Sequence, residues 1–471
     1  MGIGVLVVLA AAVLRVQANP ILAAVVLPLA LVAYQRTLLA WQTLLGLILL
    51  VILFIPIRRY TVGGGLPVEL EPYRLLLGVV LICWLFAVCA DPAVRWRRSG
   101  LEVPILVVLA AILGSLAFNV SRVNGVGEIV VKQVTFFLTF FLIVYFVASI
   151  VARGPKLDRM LQLLAGGGTL LAALSLIEWR TGTNFFNGLD SVIPFLNYVD
   201  FGSHIARGTG FRALGSAQHP IALGAALVML IPLTVYLYQR YQHIGWLVCG
   251  GVITLGAFAS GSRTAAIMLV VLLVTYVWIK RQETMRLLPM LIPLVIVIQV
   301  VMPGTLGTFR AILQPSYLIQ EQSQEAGAGS GRIADLGPSL SEWSREPFLG
   351  QGFGTRVVST ELGPGDVGSG GEVVASDVQI LDNQWLTTLL EIGAVGVLGL
   401  LWLFCRAIRR LAQKARSDPG PEGWLATALA AALAAFAVGM LTFDAFAFIQ
   451  VTFLAFVMLG FTVVVTRDTQ E

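Results

Sequence analysis

The chain is short of charge: only 12% of its 471 residues are Asp, Glu, Lys or Arg, against about 25% in a soluble domain. With 57% hydrophobic residues, that scarcity excludes an ordinary soluble protein. A diffuse net charge of +5 excludes a nucleic-acid surface. Cysteine is scarce as well. Cys83, Cys89, Cys249 and Cys405 all fall inside apolar segments, with neither a metal-binding spacing nor a disulfide framework, and they read as small packing residues. The glycine runs AGAGSG and GQGFG have no strand before them, which argues against a nucleotide-phosphate loop. The N-terminus lacks the positive first region of a cleaved signal and is expected to be retained. What remains is a polytopic, all-α membrane bundle with no second soluble domain.

A helix needs about 20 apolar residues to cross the hydrocarbon. Segments of that kind are expected near 37–56, 73–90, 101–118, 129–151, 157–178, 217–238, 243–259, 263–279, 287–303, 385–405, 424–441 and 445–466. Residues 2–14 and 20–34 are shorter, and form either two spans or a re-entrant hairpin. The total is fourteen spans, or twelve if those two do not cross. Helix is the expected state because lipid cannot satisfy open backbone groups.

Basic residues set the orientation. Arg95, Arg97, Arg98, Arg153, Lys156, Lys280, Arg281, Arg406, Arg409, Arg410 and Lys414 crowd the short loops of one side. That side is expected to be cytoplasmic, with both termini. The interval 179–216 and a long polar stretch, 303–384, then face outward together. They divide the chain into an N-terminal bundle (1–302), an external loop (303–384) and C-terminal helices (385–471).

A loop longer than about 12–15 residues is usually functional or disordered. This one carries Arg332, Trp343 and Asp382. Ile333, Leu336, Leu340 and Trp343 recur at helical spacing, and Pro338 is expected to bend that helix. Arg332 stands at its first turn, and Arg263 starts the 263–279 span. A cation at a helix N-terminus opposes the dipole, whereas an anion bound there is favoured. An arginine near the hydrocarbon costs about 2.5–3.5 kcal/mol unless it faces protein, water or an anion. Both positions therefore suit a phosphate-like group, although Arg263 could also snorkel to the interface. Arg207, Arg212 and His219 cluster near the outer end of the 217–238 helix. Arg310, Arg345 and Arg356 read as solvated surface arginines.

The order SGSR at a span start, then GR, W and PFLGQGFG, then DNQWLTTLLEIGAVG entering a helix, resembles the bacterial O-antigen ligase and polysaccharide polymerase family over about residues 200–400. The resemblance implies glycan transfer from an undecaprenyl diphosphate-linked donor to a lipid or glycan acceptor. The reaction would take place at the outer face of the cytoplasmic (inner) membrane, without cofactor or metal. It places the family's two arginines on Arg263 and Arg332, and its loop-end histidine on Asp382, beside Asn383. A carboxylate can replace histidine as general base if its pKa suits, but an Asp at a helix start is held acidic by the dipole. Asp382 or Asn383 could instead simply cap the helix, with His219 or His204 supplying an imidazole.

The expected site is thus Arg263, Arg332 and Asp382 for catalysis. Arg212, Arg207, His219, Trp343 and Asn383 are expected to bind substrate. Membrane lipids and polysaccharide-assembly proteins are the expected partners, with no nucleic acid. Polymerase activity is the alternative within the family. A solute transporter or a non-catalytic assembly subunit is the alternative outside it, and a transporter should show broken helices in related halves.

Overall fold

The computed structural model describes residues 39–62, 71–92, 94–193, 196–199, 206–207, 210–287, 289, 291–301, 336–356 and 381–467. Arg332, His204, Arg310 and the segments 2–14 and 20–34 lie outside them. The described chain is helical apart from two small hairpin-like sheets. Its principal helices are α1 (Trp41–Phe54), α2 (Pro72–Ala90), α3 (Glu102–Phe118), the short α4 (Val120–Gly125), α5 (Gly127–Ile150) and α6 (Pro155–Thr181). After a polar interval come α7 (Pro220–Tyr241), α8 (Gly245–Ala259), α9 (Arg263–Ile279), α10 (Arg281–Leu287) and α11 (Leu291–Val301). The short α12 (Leu336–Trp343) precedes α13 (Gln384–Ser417), α14 (Pro421–Gly439) and α15 (Ile449–Thr466).

Seven of the described helices are long and apolar enough to cross a membrane: α2, α5, α6, α7, α13, α14 and α15. Four shorter apolar helices, α1, α3, α8 and α9, accompany them. Starts and ends fall within a few residues of the expected spans, with one exception. Helix α13 runs on to Ser417, because Ala407, Leu411, Ala412 and Ala415 keep a buried stripe going through the basic run.

Helix α14 is the hub. Its alanine-rich sequence, WLATALAAALAAFAVG, lets α7, α9, α13 and α15 approach closely. Helix α15 packs against α5 and α7 and is 94% buried over its span, whereas α2 is 28% buried and lies at the rim. A helix that is apolar all round belongs in such a centre.

Helix direction alternates, so the connections gather at two ends. At one end, Arg406 donates to the Gly100 carbonyl (2.7 Å), Arg410 to that of Ser99 (2.7 Å), and Arg153 to Val464 and Val465. Arg153 thus caps the C-terminal carbonyls of α15, and Arg406 and Arg410 hold the loop before α3. The opposite end carries the described residues of 55–62, 119–126, 182–193, 210–219, 344–356 and 440–448.

At that opposite end, β1 (Tyr60–Val62) pairs antiparallel with β2 (Leu196–Tyr198), and β3 (Ala206–Arg207) with β4 (Gly210–Phe211). Reading the chain by apolar span length missed these strands because they are only two or three residues long. Arg59 ties the first sheet down, donating to Asn187 Oδ1 (3.0 Å) and to the Ala217 carbonyl (2.9 Å). The Tyr60 hydroxyl donates to the Phe186 carbonyl (2.7 Å).

Candidate active site

The most informative local feature is a break in α13. Gly393 has φ 64° and ψ −170°, a conformation essentially reserved for glycine. The backbone groups freed by the break are taken up by residues 347–352. Ala394 N donates to Pro347 O (2.9 Å) and Val395 N to Phe348 O (3.2 Å). In return Gln351 N donates to Leu390 O (2.8 Å) and Gly352 N to Glu391 O (3.3 Å). The two motifs PFLGQGFG and LLEIGAVG are therefore spliced together. Gly350, Gly352 and Gly354 all have positive φ, so the glycine run serves this close approach.

Helix α3 holds the splice from behind. Ser115 Oγ donates to Glu391 O and accepts from Gly352 N (3.1 Å). Asn119 Nδ2 donates to the carbonyls of Ser115 (2.8 Å) and Gly350 (2.9 Å), and Arg122 to Gln351 Oε1 (2.9 Å). Trp343 closes the outer side: its indole N–H donates to Pro347 O (2.9 Å), and its ring packs on Leu381, Leu386 and Leu390.

In front of the splice lies a cavity of about 330 Å³. Arg58, Arg74, Lys132 and Arg356 line it, with Glu391, Asp444, Gln384 and an aromatic floor that includes Phe137, Phe353 and Phe446. The lining holds four cations and two carboxylates, and two of the cations, Arg74 and Arg356, are also paired with carboxylates outside it. Arg58 reaches it from a left-handed backbone (φ 66°), held there by the anchored Arg59 and Tyr60 beside it. Burial lowers the pKa of Arg59 from its ordinary value, opposed first by the nearby Glu178 carboxylate. Arg74 is set by Glu71 (3.2 Å) and the Tyr73 hydroxyl (2.8 Å), with its guanidinium over the Phe136 ring. Arg356 pairs with Glu342 at 2.8 Å and its side chain is only 9% exposed. That overturns its reading as a solvated surface arginine; Arg345 is exposed as expected.

The turn Met440–Phe448, which supplies Asp444 and residues 446–448 to the cavity wall, has several of the expected site residues near its other side. Arg263 opens α9 after Ser262, and the next residue, Thr264, accepts a hydrogen bond from Thr442 (2.9 Å). Arg212 donates from Nε to Ser260 O (3.0 Å), just before Arg263. His219 caps α7, its Nδ1 accepting from Ile221 N (3.2 Å), and its ring stacks on Phe448. Asn383 caps α13, accepting from Leu386 N (3.2 Å). Gln384 is buried against the same turn: its N–H donates to Met440 O (2.8 Å) and its side-chain oxygen accepts from Phe446 N (2.6 Å).

Asp382 is exposed one residue before that cap. It does not line the cavity, and neither do Arg263, Arg212 and His219. Arg207 lies in β3, away from the spliced motifs in sequence. The cavity residues missed by sequence reasoning are Arg58, Arg74, Lys132 and Glu391. The one signal for Glu391 was a carboxylate inside an otherwise apolar helix.

Residues 247–401 match the family model Wzy_C, O-antigen ligase. The match spans about a third of the chain. A search of curated proteins finds no match. The matched stretch is thus similar to the O-antigen ligase family, and it lies in a chain whose described residues include seven helices long and apolar enough to cross a membrane. The matched stretch contains both halves of the splice and supplies Gly354, Arg356, Gln384, Thr387 and Glu391 to the cavity wall. The remaining cations come from α2, α5 and the segment after α1, outside the match.

Proposed function

We propose that the protein transfers a glycan from an undecaprenyl diphosphate-linked donor to a hydroxyl acceptor in this cavity, as a ligase. The observation that carries the reading is the four-cation cavity in front of the break in α13, to whose wall the matched stretch contributes Arg356, Gln384 and Glu391. Arg58, Arg74, Lys132 and Arg356 bind the diphosphate and offset the charge that grows on it as it leaves. Arg263 acts with them from behind the Met440–Phe448 turn, as Arg332 does from the long loop. The acceptor oxygen bonds to the anomeric carbon while the bond from that carbon to the diphosphate oxygen breaks. The hydroxyl proton passes to a carboxylate, and undecaprenyl diphosphate departs.

Glu391 is the carboxylate best placed to take that proton, since it lines the same cavity as the four cations and Asp382 does not. Asp382 is the second reading, favoured by its position in the family's motif. A transport reading is less well supported: among the described helices that can cross a membrane, the interior break is confined to α13 and is filled by the chain itself.

The test is transfer by purified full-length protein from a synthetic undecaprenyl diphosphate-linked oligosaccharide. Glu391→Gln should lower the rate by about 10²–10⁴-fold, the usual worth of a positioned base, while Asp382→Asn stays near wild type. The opposite pattern would move the base to Asp382. No transfer by the wild type to lipid or glycan acceptors would overturn the function itself.

A further inference from the structure

The end of the bundle opposite the cavity carries a second cationic feature, which the reaction does not use. Residues 91–101 link α2 to α3, and the stretch VRWRRS within them is neither helix nor strand. A basic run of this kind is ordinarily a solvated, loosely held face. Here the backbone is pinned on both sides of Arg97 and Arg98. On the near side, Trp96 stacks on Trp84 (ring centroids 5.3 Å apart) and on Tyr145 (4.6 Å). On the far side, the Glu102 carboxylate accepts from the Ser99 N–H and hydroxyl, while Arg410 and Arg406 donate to the carbonyls of Ser99 and Gly100. Gly100 has φ 70°, and a β-carbon there would run into the Arg410 guanidinium. Arg97 and Arg98 are exposed, as is Arg409 between the two pinning arginines of α13. Among the described residues, none of these three forms an ion pair.

The helices that lead to this segment are apolar on their outward faces. Val79, Ile82 and Phe86 make an exposed stripe along α2, and Val103, Leu106 and Leu113 another along α3. In a bilayer such stripes face acyl chains, which brings the headgroup layer level with the linking arginines. We propose that Arg97, Arg98 and Arg409 hold the phosphate of an anionic phospholipid whose chains lie along these stripes. Guanidinium groups match phosphate oxygens with paired N–H donors. Because the pins already order the backbone, binding has little left to immobilise. A zwitterionic headgroup offers the same phosphate with a cation of its own, which the neighbouring arginines repel. The proposal does not depend on the glycan-transfer reading.

The test is retention of phosphatidylglycerol by purified full-length protein exchanged into excess phosphatidylcholine, read by native mass spectrometry. Wild type should keep the anionic lipid. Arg97→Gln/Arg98→Gln should weaken retention by about twentyfold, about fivefold for each arginine. Arg281→Gln/Arg286→Gln removes the same charge from exposed positions of α10, beside Lys280 at the same end, and should change nothing. Gly100→Ala keeps every charge, loosens the pin and should also weaken retention. Glycerol phosphate in solution should not displace the lipid. A phosphatidylglycerol with a photoreactive headgroup should label residues 95–98 or α13 near Arg409 in the wild type, which decides the matter even if Gly100→Ala misfolds. Equal losses in the two double variants would reduce the patch to diffuse surface charge and overturn the proposal. Full retention in Arg97→Gln/Arg98→Gln or in Gly100→Ala, labelling elsewhere, or displacement by glycerol phosphate would each overturn it too.

Discussion

Single arginines show how far burial changes meaning. Arg356 and Arg345 both read as polar loop residues, yet Arg345 is exposed while Arg356 is enclosed by Glu342 and the cavity. Nothing in the local sequence separates them, because the ion partner Glu342 comes from α12 and the other cavity walls come from α5, α13 and the turn before α15. Arg263 is the reverse case: its helix-start position singled it out, and it stands beside the turn that walls the cavity. If it makes a forked contact to diphosphate, lysine keeps the charge and loses the fork. Arg263→Lys is then expected to cost about 2.7–4 kcal/mol of transition-state stabilisation, a hundred- to thousandfold in rate, with normal expression. Arg345→Lys should be silent. Transfer rates of the two purified variants, normalised to folded protein, check this; wild-type speed in Arg263→Lys would remove it from the site.

At the scale of elements, the helices were legible and their splice was not. Lipid-length apolar runs announce spans directly, so α2, α5, α7 and α15 fall close to where composition puts them. The break in α13 is invisible to that logic, since Gly393 sits in an apolar run and its partners lie some forty residues earlier. The glycines of PFLGQGFG stood out as part of a family motif and as a failed nucleotide loop, neither of which gives them a structural role. Their physical role is to let one backbone substitute for the hydrogen bonds of another. Gly393→Ala would place a methyl group against the Phe348 carbonyl and demand a strained backbone. We expect it to cost about 2–4 kcal/mol, with hydrogen exchange rising at residues 348–352 and transfer lost. Gly251→Ala in α8, where the added methyl has open space, should change neither.

At the scale of the molecule, the distribution of cations separates the two ends by what each cation does. Arg153, Arg406, Arg410 and Lys280 at one end donate to backbone carbonyls of a helix end and of the connections beside it. Arg58, Arg74, Lys132 and Arg356 at the other converge on a cavity. If the first end is cytoplasmic, as the excess of basic residues in its short connections predicts, the cavity opens outside, where a lipid-linked glycan and its acceptor would meet. Accessibility decides the orientation. In a background with the four cysteines replaced, Ser191→Cys on the exposed stretch before β2 should react with an impermeant thiol reagent in intact cells. Ser417→Cys, at the exposed end of α13, should react only after the membrane is permeabilised. Neither position touches the cavity, so both variants should keep wild-type transfer. The reverse labelling pattern would turn the cavity toward the cytoplasm, and with it the reaction.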